Sequence, residues 1–207
     1  IDIISSIVDD LFLLGKIAAK HSLNDLIAAN SNLLSAQMML GIPLSLNKIQ
    51  KRDMYQLKEG ANAVFHELGN SISGGHSYSL EEGKCTIGFS LIGKKNLILK
   101  KQYKREKLNI YMTGKVGTAL VIAGIKNKII SGKFYNEVIK EMTSSNIELY
   151  KLLKKNKIHN ITDISGFGLA IHLKNLLLRN KFFKGANIYL NRILILEGAK
   201  LALENNV

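Results

Sequence analysis

The stretch from Asn160 to Leu173 constrains the fold more than any other part of the chain. A β-branched run delivers the carboxylate of Asp163, and Ser165-Gly-Phe-Gly168 then makes a tight turn into an apolar helix, predicted at 166–181. A helix start offers unpaired N–H groups and a partial positive charge to a phosphate, while a carboxylate offers hard oxygens to Mg²⁺. On spacing alone, an ordinary helix start behind a glycine turn is the simpler interpretation.

The charge of the chain does not by itself indicate a nucleic-acid-binding protein. The net charge is +13, but only four of the 29 basic residues are arginine, and base recognition favours arginine. The lysines are spread along the chain together with many Asn and Ile residues, which indicates compositional drift. The densest cluster, at 94–107, predicts a solvated linker between two domains; a surface for RNA or another anionic ligand is the alternative.

Cysteine content and hydropathy narrow the class of protein further. Cys85 is the single cysteine, which excludes an internal disulfide framework and an all-cysteine metal cage and is compatible with a reducing compartment. No stretch of about 18 residues is apolar enough to span a membrane. We therefore expect a cytoplasmic protein that does not act in a membrane.

Hydrophobic periodicity predicts helices and strands in both halves of the chain. In the first half we predict a strand end at 1–8, a helix capped by Asp9-Asp10, a strand at 33–44, a helix from Ser45 to a stop at Gly69-Asn70, and a half-buried strand at 85–92 with Cys85 packed as an inert side chain. In the second half we predict a strand at 108–112, a glycine turn at 113–118 leading into a helix, helices at 133–155, 166–181 and 194–204, and a strand at 186–190. The fold class is therefore α+β, with domains at 1–100 and 108–207, each a mostly antiparallel sheet covered by helices on one side.

Four motifs, in order, resemble those of one enzyme family. Thr162-Asp-Ile-Ser-Gly-Phe-Gly-Leu-x-x-His172-Leu is similar to the T-D-[VI]-[TS]-G-F-G-L-x-G-H-L signature of the selenophosphate synthetases, or selenide, water dikinases. The other three motifs are Ile1-Asp2 with Ile7-Val8-Asp9-Asp10, then Gly15-Lys-Ile-Ala-Ala19 with Asn24-Asp25, and Ser73-Gly-Gly-His-Ser77. His76 selects the subfamily, because the relatives that act on purine precursors or thiamin phosphate carry an acidic residue there. The family belongs to the ATP-using superfamily of aminoimidazole ribonucleotide synthetase.

The resemblance implies which residues bind ATP and Mg²⁺. Asp2, Asp25 and the Gly75-His76-Ser77 segment would line the nucleotide site. Asp25 and Asp163 would hold the metal, so the three carboxylates are expected to converge beside the paired glycines. His172 is expected to support the site by packing and not as a ligand.

The resemblance also implies the reaction and the assembly. The parent enzyme would use ATP, selenide and water to make selenophosphate, AMP and phosphate, and strands of the first domain would form a barrel across a homodimer. The glycine-rich arm that carries the family's catalytic Cys and Lys is absent from these residues, so no catalytic residue is predicted here. We expect a fragment whose first domain lacks its start and whose second lacks its end, inactive alone.

Departures from the family pattern leave other functions open. His21 stands where the family has Asn, Ala29-Asn30-Ser31 where it has Met-Gly-Gly, and Gly114-Lys115 where it has Lys-Pro. These changes favour a catalytically silent relative that dimerises with or regulates an active enzyme. A superfamily member acting on a purine precursor or thiamin phosphate is a second alternative, against which His76 and the glycine turn at 166–168 argue. An RNA-binding module using the lysines at 94–107 is a third.

Overall fold

The computed structural model describes residues 1–96, 107–156, 160–179 and 183–207, which form two compact units. The first unit comprises Ile1–Leu97 and Ser145–Asn156, and the second Ile98–Ser144 and Lys157–Val207. Both helices and strands are present, so the predicted α+β class is confirmed. Most of the predicted linker at 94–107 lies outside the described residues, and the domain boundary there stays a prediction.

The first unit contains an open sheet of four strands. These are β1 (Asp2–Ser5), β2 (Ser31–Pro43), β3 (Ile72–Leu80) and β4 (Thr86–Lys95), in the order β1-β4-β2-β3. β4 is antiparallel to both β1 and β2, whereas β3 is parallel to β2. The parallel pair follows from the helix that connects β2 to β3, since a crossover helix returns the chain to the same end of the sheet. The Gly-Gly-His-Ser motif therefore lies inside a strand.

The described residues also form seven α-helices and three short 3-10 helices. The α-helices are α1 (Leu11–Ala28), α2 (Asn47–Phe65), α3 (Thr118–Lys126), α4 (Tyr135–Thr143), α5 (Ile147–Lys155), α6 (Gly168–Leu178) and α7 (Glu197–Glu204). As predicted, Asp10 caps α1: its Oδ1 accepts a hydrogen bond from the Leu13 N–H at 2.8 Å. No helix within the described ranges is both long and apolar enough to cross a membrane.

The core of the first unit lies between the sheet and the helix pair α1 and α2. Phe65 of α2 packs edge-on against Phe89 of β4, with ring centroids 5.3 Å apart. Ile87 and Phe89 are fully buried, which confirms the predicted alternation, although the strand begins one residue after Cys85. On the far side of the sheet, Ile3 of β1 and Ile92 of β4 are more than half exposed.

Two glycines let α1 and α2 approach each other closely. A Cβ atom on Gly15 would collide with the carbonyl oxygen of Leu57, and one on Gly60 would collide with that of Phe12. Each glycine thus faces the backbone of the opposite helix. Larger side chains at either position would force the helices apart.

The second unit is mainly helical in the residues that are described. Its core contains Val121, Val138, Leu196 and Ala199, contributed by α3, α4 and the start of α7. The predicted strands at 108–112 and 186–190 are wrong. In the described residues of this unit, β-pairing is limited to one isolated bridge between Val116 and Ile195. Within the described residues, no strand lies beside either segment. An alternating apolar pattern forms a strand only when its backbone and side chains can pair with such a neighbour.

The predicted helix at 133–155 is wrong in its middle, where the chain forms α4 and α5 separately. Ser144 adopts an extended conformation between them. The Thr143 and Ser144 hydroxyls donate to the carbonyl oxygens of Ile139 and Glu141, at 2.8 and 2.9 Å. Such local hydrogen bonds compete with helix continuation. The helices predicted at 166–181 and 194–204 exist but are shorter.

The break allows α5 to join the first unit through Tyr150. The Tyr150 hydroxyl is buried and lies 2.8 Å from the Ser31 carbonyl oxygen and 2.7 Å from Asn32 Oδ1, either of which can accept its proton. The same hydroxyl accepts a hydrogen bond from Asn96 Nδ2 at 3.1 Å. Residues far apart in sequence are thereby tied together at one end of the sheet.

We predict that Tyr150→Phe destabilises the protein, because the substitution leaves buried donors and acceptors without their partner. The expected loss is about 1–3 kcal/mol in the free energy of unfolding in urea, followed by circular dichroism. Tyr55→Phe is the matched control, since the Tyr55 side chain is 65% exposed. Equal unfolding free energies for the two variants would contradict the role assigned to the Tyr150 hydroxyl.

We also predict that the two neighbouring glycines of β3 differ in their tolerance of an alanine substitution. A Cβ atom on Gly75 would collide with the backbone of Met38 in β2, whereas one on Gly74 would meet open space. Gly75→Ala should therefore lower the free energy of unfolding by about 1–3 kcal/mol, as overpacking does elsewhere. Gly74→Ala should leave it nearly unchanged, and a result in which Gly74 is the more sensitive position would refute this strand register.

Candidate functional site

Asp2 and Gly75 lie on one line that crosses the whole sheet. Asp2 is opposite Phe89, Phe89 is opposite Met38, and Met38 is opposite Gly75. Directly opposed residues share a face, and Phe89 packs against α2, so Asp2 is on the face that the helices cover. With strands spaced about 4.8 Å apart, the two ends of this line are about 14 Å apart. The two residues cannot bind the same ligand atom.

One carboxylate oxygen of Asp2 has no hydrogen-bond partner among the residues that the structure describes. This oxygen, Oδ2, is buried. The other oxygen, Oδ1, lies 4.0 Å from Nε2 of His21, and the side chain is 28% exposed. Burying an unpaired carboxylate oxygen costs about 1–3 kcal/mol or more. A donor group or a cation from a ligand would remove that cost.

Asp25 joins the same region through α1. It follows His21 by four residues, and side chains with this spacing are neighbours on one face of a helix. Asp25 is exposed near the last turn of α1, whereas His21 is half-buried beside Asp2. We refer to Asp2, His21 and Asp25 as the Asp2 cluster. The His21 imidazole lies beside the Asp2 carboxylate, and Asp25 follows it one turn later on the same face of α1.

The protein alone does not complete a metal centre. Within the described ranges, no group of three or more His, Cys, Asp and Glu side chains is arranged to hold a metal ion. This arrangement suits Mg²⁺ nevertheless, because protein sites often supply one or two carboxylates while substrate phosphates and waters complete the coordination. Asp25, exposed one helical turn after His21, fits that donor pattern.

The Gly75-His76-Ser77 segment runs along β3, at the edge of the sheet opposite β1. All three residues are exposed. Because side chains alternate along a strand, Gly75 and Ser77 share the face of Asp2 and His76 projects to the other face. A nucleotide contacting His76 and the Asp2 cluster together would therefore have to reach both faces of the sheet.

Asp163 lies in the second unit, just before the turn that begins α6. The Gly168 N–H donates to the Ser165 carbonyl oxygen at 2.9 Å, and Gly168 has a φ of +77°, in the left-handed region that glycine adopts without strain. The glycine turn into a helix is thus confirmed. The predicted convergence of Asp163 with Asp2 and Asp25 stays a prediction, because Asp2 and Asp25 belong to the first unit and Asp163 to the second.

One departure from the family pattern falls at a residue with a left-handed backbone conformation. Asn30, at the position of a family glycine, has a φ of +51°. Asn is the non-glycine residue that visits this left-handed conformation most readily, because its short amide group bonds locally. The chain therefore makes a left-handed turn into β2 without a glycine.

Burial shifts the pKa values of two side chains in the first unit. Burial raises the pKa of the Cys85 thiol, which keeps it protonated and agrees with the predicted packing role. Lys20 was not predicted as special, yet it is 4% exposed, and burial lowers its pKa while Glu67, 3.6 Å away, opposes that shift. In the sequence, the available signal was its position directly after the apolar run Ile17-Ala18-Ala19.

Known proteins resemble the chain in sequence. Residues 1–94 match the family described as AIR synthase related protein, N-terminal domain. The selenide, water dikinase of Campylobacter jejuni strain RM1221 is 29% identical over 202 residues, which cover 97% of this chain and 57% of that protein. The chain spans about half the length of the curated relatives that it matches.

Solved structures resemble the chain in fold. The hydrogenase maturation protein HypE, solved in complex with ATP, aligns with a TM-score of 0.71 and 16% identity, covering 98% of this chain and 62% of that one. Thiamine monophosphate kinase from Aquifex aeolicus aligns with a TM-score of 0.56 and 16% identity, covering 74% and 54%. The predicted relationship to the AIR synthase-like fold is thereby confirmed, and so is the resemblance carried by the motifs: the chain is similar in sequence to the selenide, water dikinases and, over residues 1–94, to the AIR synthase related proteins.

Proposed function

We propose that this chain is the ATP-binding part of a cytoplasmic enzyme that makes selenophosphate from ATP, selenide and water, with AMP and phosphate as the other products. Similarity to the selenide, water dikinases supports the reaction. The ATP complex of HypE, a protein of similar fold, supports nucleotide binding. Because the chain spans about half of its curated relatives, the complete reaction is proposed for the intact protein.

The unpaired Oδ2 of Asp2 is the observation that carries this proposal. It is a buried acceptor beside His21 that a ligand donor or a cation can satisfy. Asp2 is thus proposed to bind the nucleotide, together with Asp25, which lies one turn after His21 on the same face of α1. A carboxylate that gains such a partner recovers the free energy lost on burial.

Asp25 and Asp163 are proposed to hold Mg²⁺, which would neutralise charge on the triphosphate during phosphoryl transfer. Asp25 offers its oxygens from an exposed helix turn, and Asp163 stands before the turn that opens α6. Gly75, His76 and Ser77 are proposed to contact the nucleotide from β3. The Gly75 backbone is accessible there, and the His76 and Ser77 side chains are exposed and can donate hydrogen bonds.

A homodimer is proposed through the uncovered side of the sheet. Ile3 and Ile92 are 58% and 54% exposed on strands whose other face is packed against helices. The sheet is open, so two copies could close it into the barrel that the family resemblance implies. Burial of these side chains would favour association.

A catalytically silent partner of an active enzyme is the second candidate function. The observation that favours it is the imidazole of His21, 4.0 Å from Asp2 Oδ1, at a position where the family has Asn. A protonated His21 would pair with the carboxylate that the nucleotide needs. Consumption of ATP that depends on selenide, measured on the intact protein, distinguishes the candidates: the enzyme consumes ATP and the silent partner does not.

We predict that Asp2→Asn weakens binding of Mg·ATP to the protein. Hydrogen bonds to charged groups contribute about 1.5–3 kcal/mol, which corresponds to an increase in Kd of about 10- to 100-fold by isothermal titration calorimetry. Asp9→Asn is the control, because that carboxylate is 92% exposed and pairs with Lys84. Equal affinity of the Asp2→Asn variant and the unsubstituted protein would refute the role of Asp2.

A further inference from the structure

The turn after Asp163 is hydrogen-bonded to a side chain of α6, His172. The Ser165 backbone N–H donates to Nε2 of His172 at 3.3 Å, and the Ser165 hydroxyl lies 3.2 Å from the same nitrogen. The Ser165 carbonyl oxygen accepts from the Gly168 N–H at 2.9 Å. Ser165 is therefore held through both of its backbone groups, two residues beyond Asp163.

The first of these hydrogen bonds defines the state of the imidazole. A backbone N–H can only donate, so Nε2 must carry a lone pair, and the neutral ring keeps its proton on Nδ1. His172 can reach back because helical side chains lean toward the N-terminus of their helix, here toward the first turn of α6. The rigid ring spans the gap with few rotatable bonds.

We propose that His172 is a positioning residue that fixes the segment carrying Asp163, by accepting the Ser165 N–H as the neutral Nδ1–H tautomer. Without this acceptor, the start of the turn would lose the hydrogen bond that joins it to α6. The consequence for Mg²⁺ rests on the proposed function, in which Asp163 is a metal ligand. A mere packing residue in this place would need no particular tautomer.

Two measurements on the whole chain test the positioning itself. Long-range ¹H–¹⁵N NMR spectra should give the Nδ1–H tautomer for His172 at neutral pH. The Ser165 amide should exchange with solvent about fivefold faster or more in His172→Ala, which loses one hydrogen bond. His172→Gln should retain slow exchange, because its carbonyl oxygen can accept in place of Nε2, and His66→Gln should have no effect, because His66 is exposed elsewhere.

An Nε2–H tautomer, or equal Ser165 exchange in the Ala and Gln variants, would overturn the proposal. Calorimetry with Mg·ATP tests the consequence for ligand binding. His172→Ala should weaken the affinity for Mg·ATP, and His172→Gln should keep most of the affinity of the unsubstituted protein. Unchanged affinity in His172→Ala would overturn the positioning of Asp163 for a metal. If the unsubstituted protein binds no Mg·ATP, the proposed function fails, while the tautomer and the exchange rates still decide the role of His172.

Discussion

The close contact of α1 with α2 is the constraint on which the rest of the first unit depends. Gly15 and Gly60 each face the backbone of the other helix, so the two helices form one layer at a fixed separation over the sheet. This layer buries Phe89 against Phe65 and holds α1 above the end of β1. His21 is placed beside Asp2 for that reason, although the two residues are distant in sequence. The candidate site thus depends on helix packing more than on any local motif.

Parts of the fold follow from the sequence because their causes are local. Asp10 caps α1 through a neighbouring backbone N–H, and the alternation of Ile87 and Phe89 reflects the pleat of a single strand. The turn at Gly168 needs a left-handed residue, which glycine provides. In each case a few adjacent residues contain the whole physical reason, so a pattern in the sequence is sufficient.

Other features could not be predicted because their causes lie far away in the chain. The docking of α5 depends on Tyr150 meeting Ser31 and Asn32, which no periodicity reveals. The segments 108–112 and 186–190 are not strands, because no strand lies beside them in the described part of the chain, and a single segment cannot reveal its neighbours. The same holds for the candidate site. The motifs identified Asp2, but only the packing of α1 identifies its unpaired Oδ2 and its neighbour His21.

The most direct test of the account is a crystal structure of the protein with Mn²⁺ and a non-hydrolysable ATP analogue. The account predicts that Oδ2 of Asp2 accepts a hydrogen bond from the nucleotide or contacts a cation, with anomalous scattering locating the Mn²⁺ near Asp25. A nucleotide bound elsewhere, with Asp2 Oδ2 still buried and unpaired, would contradict the central claim.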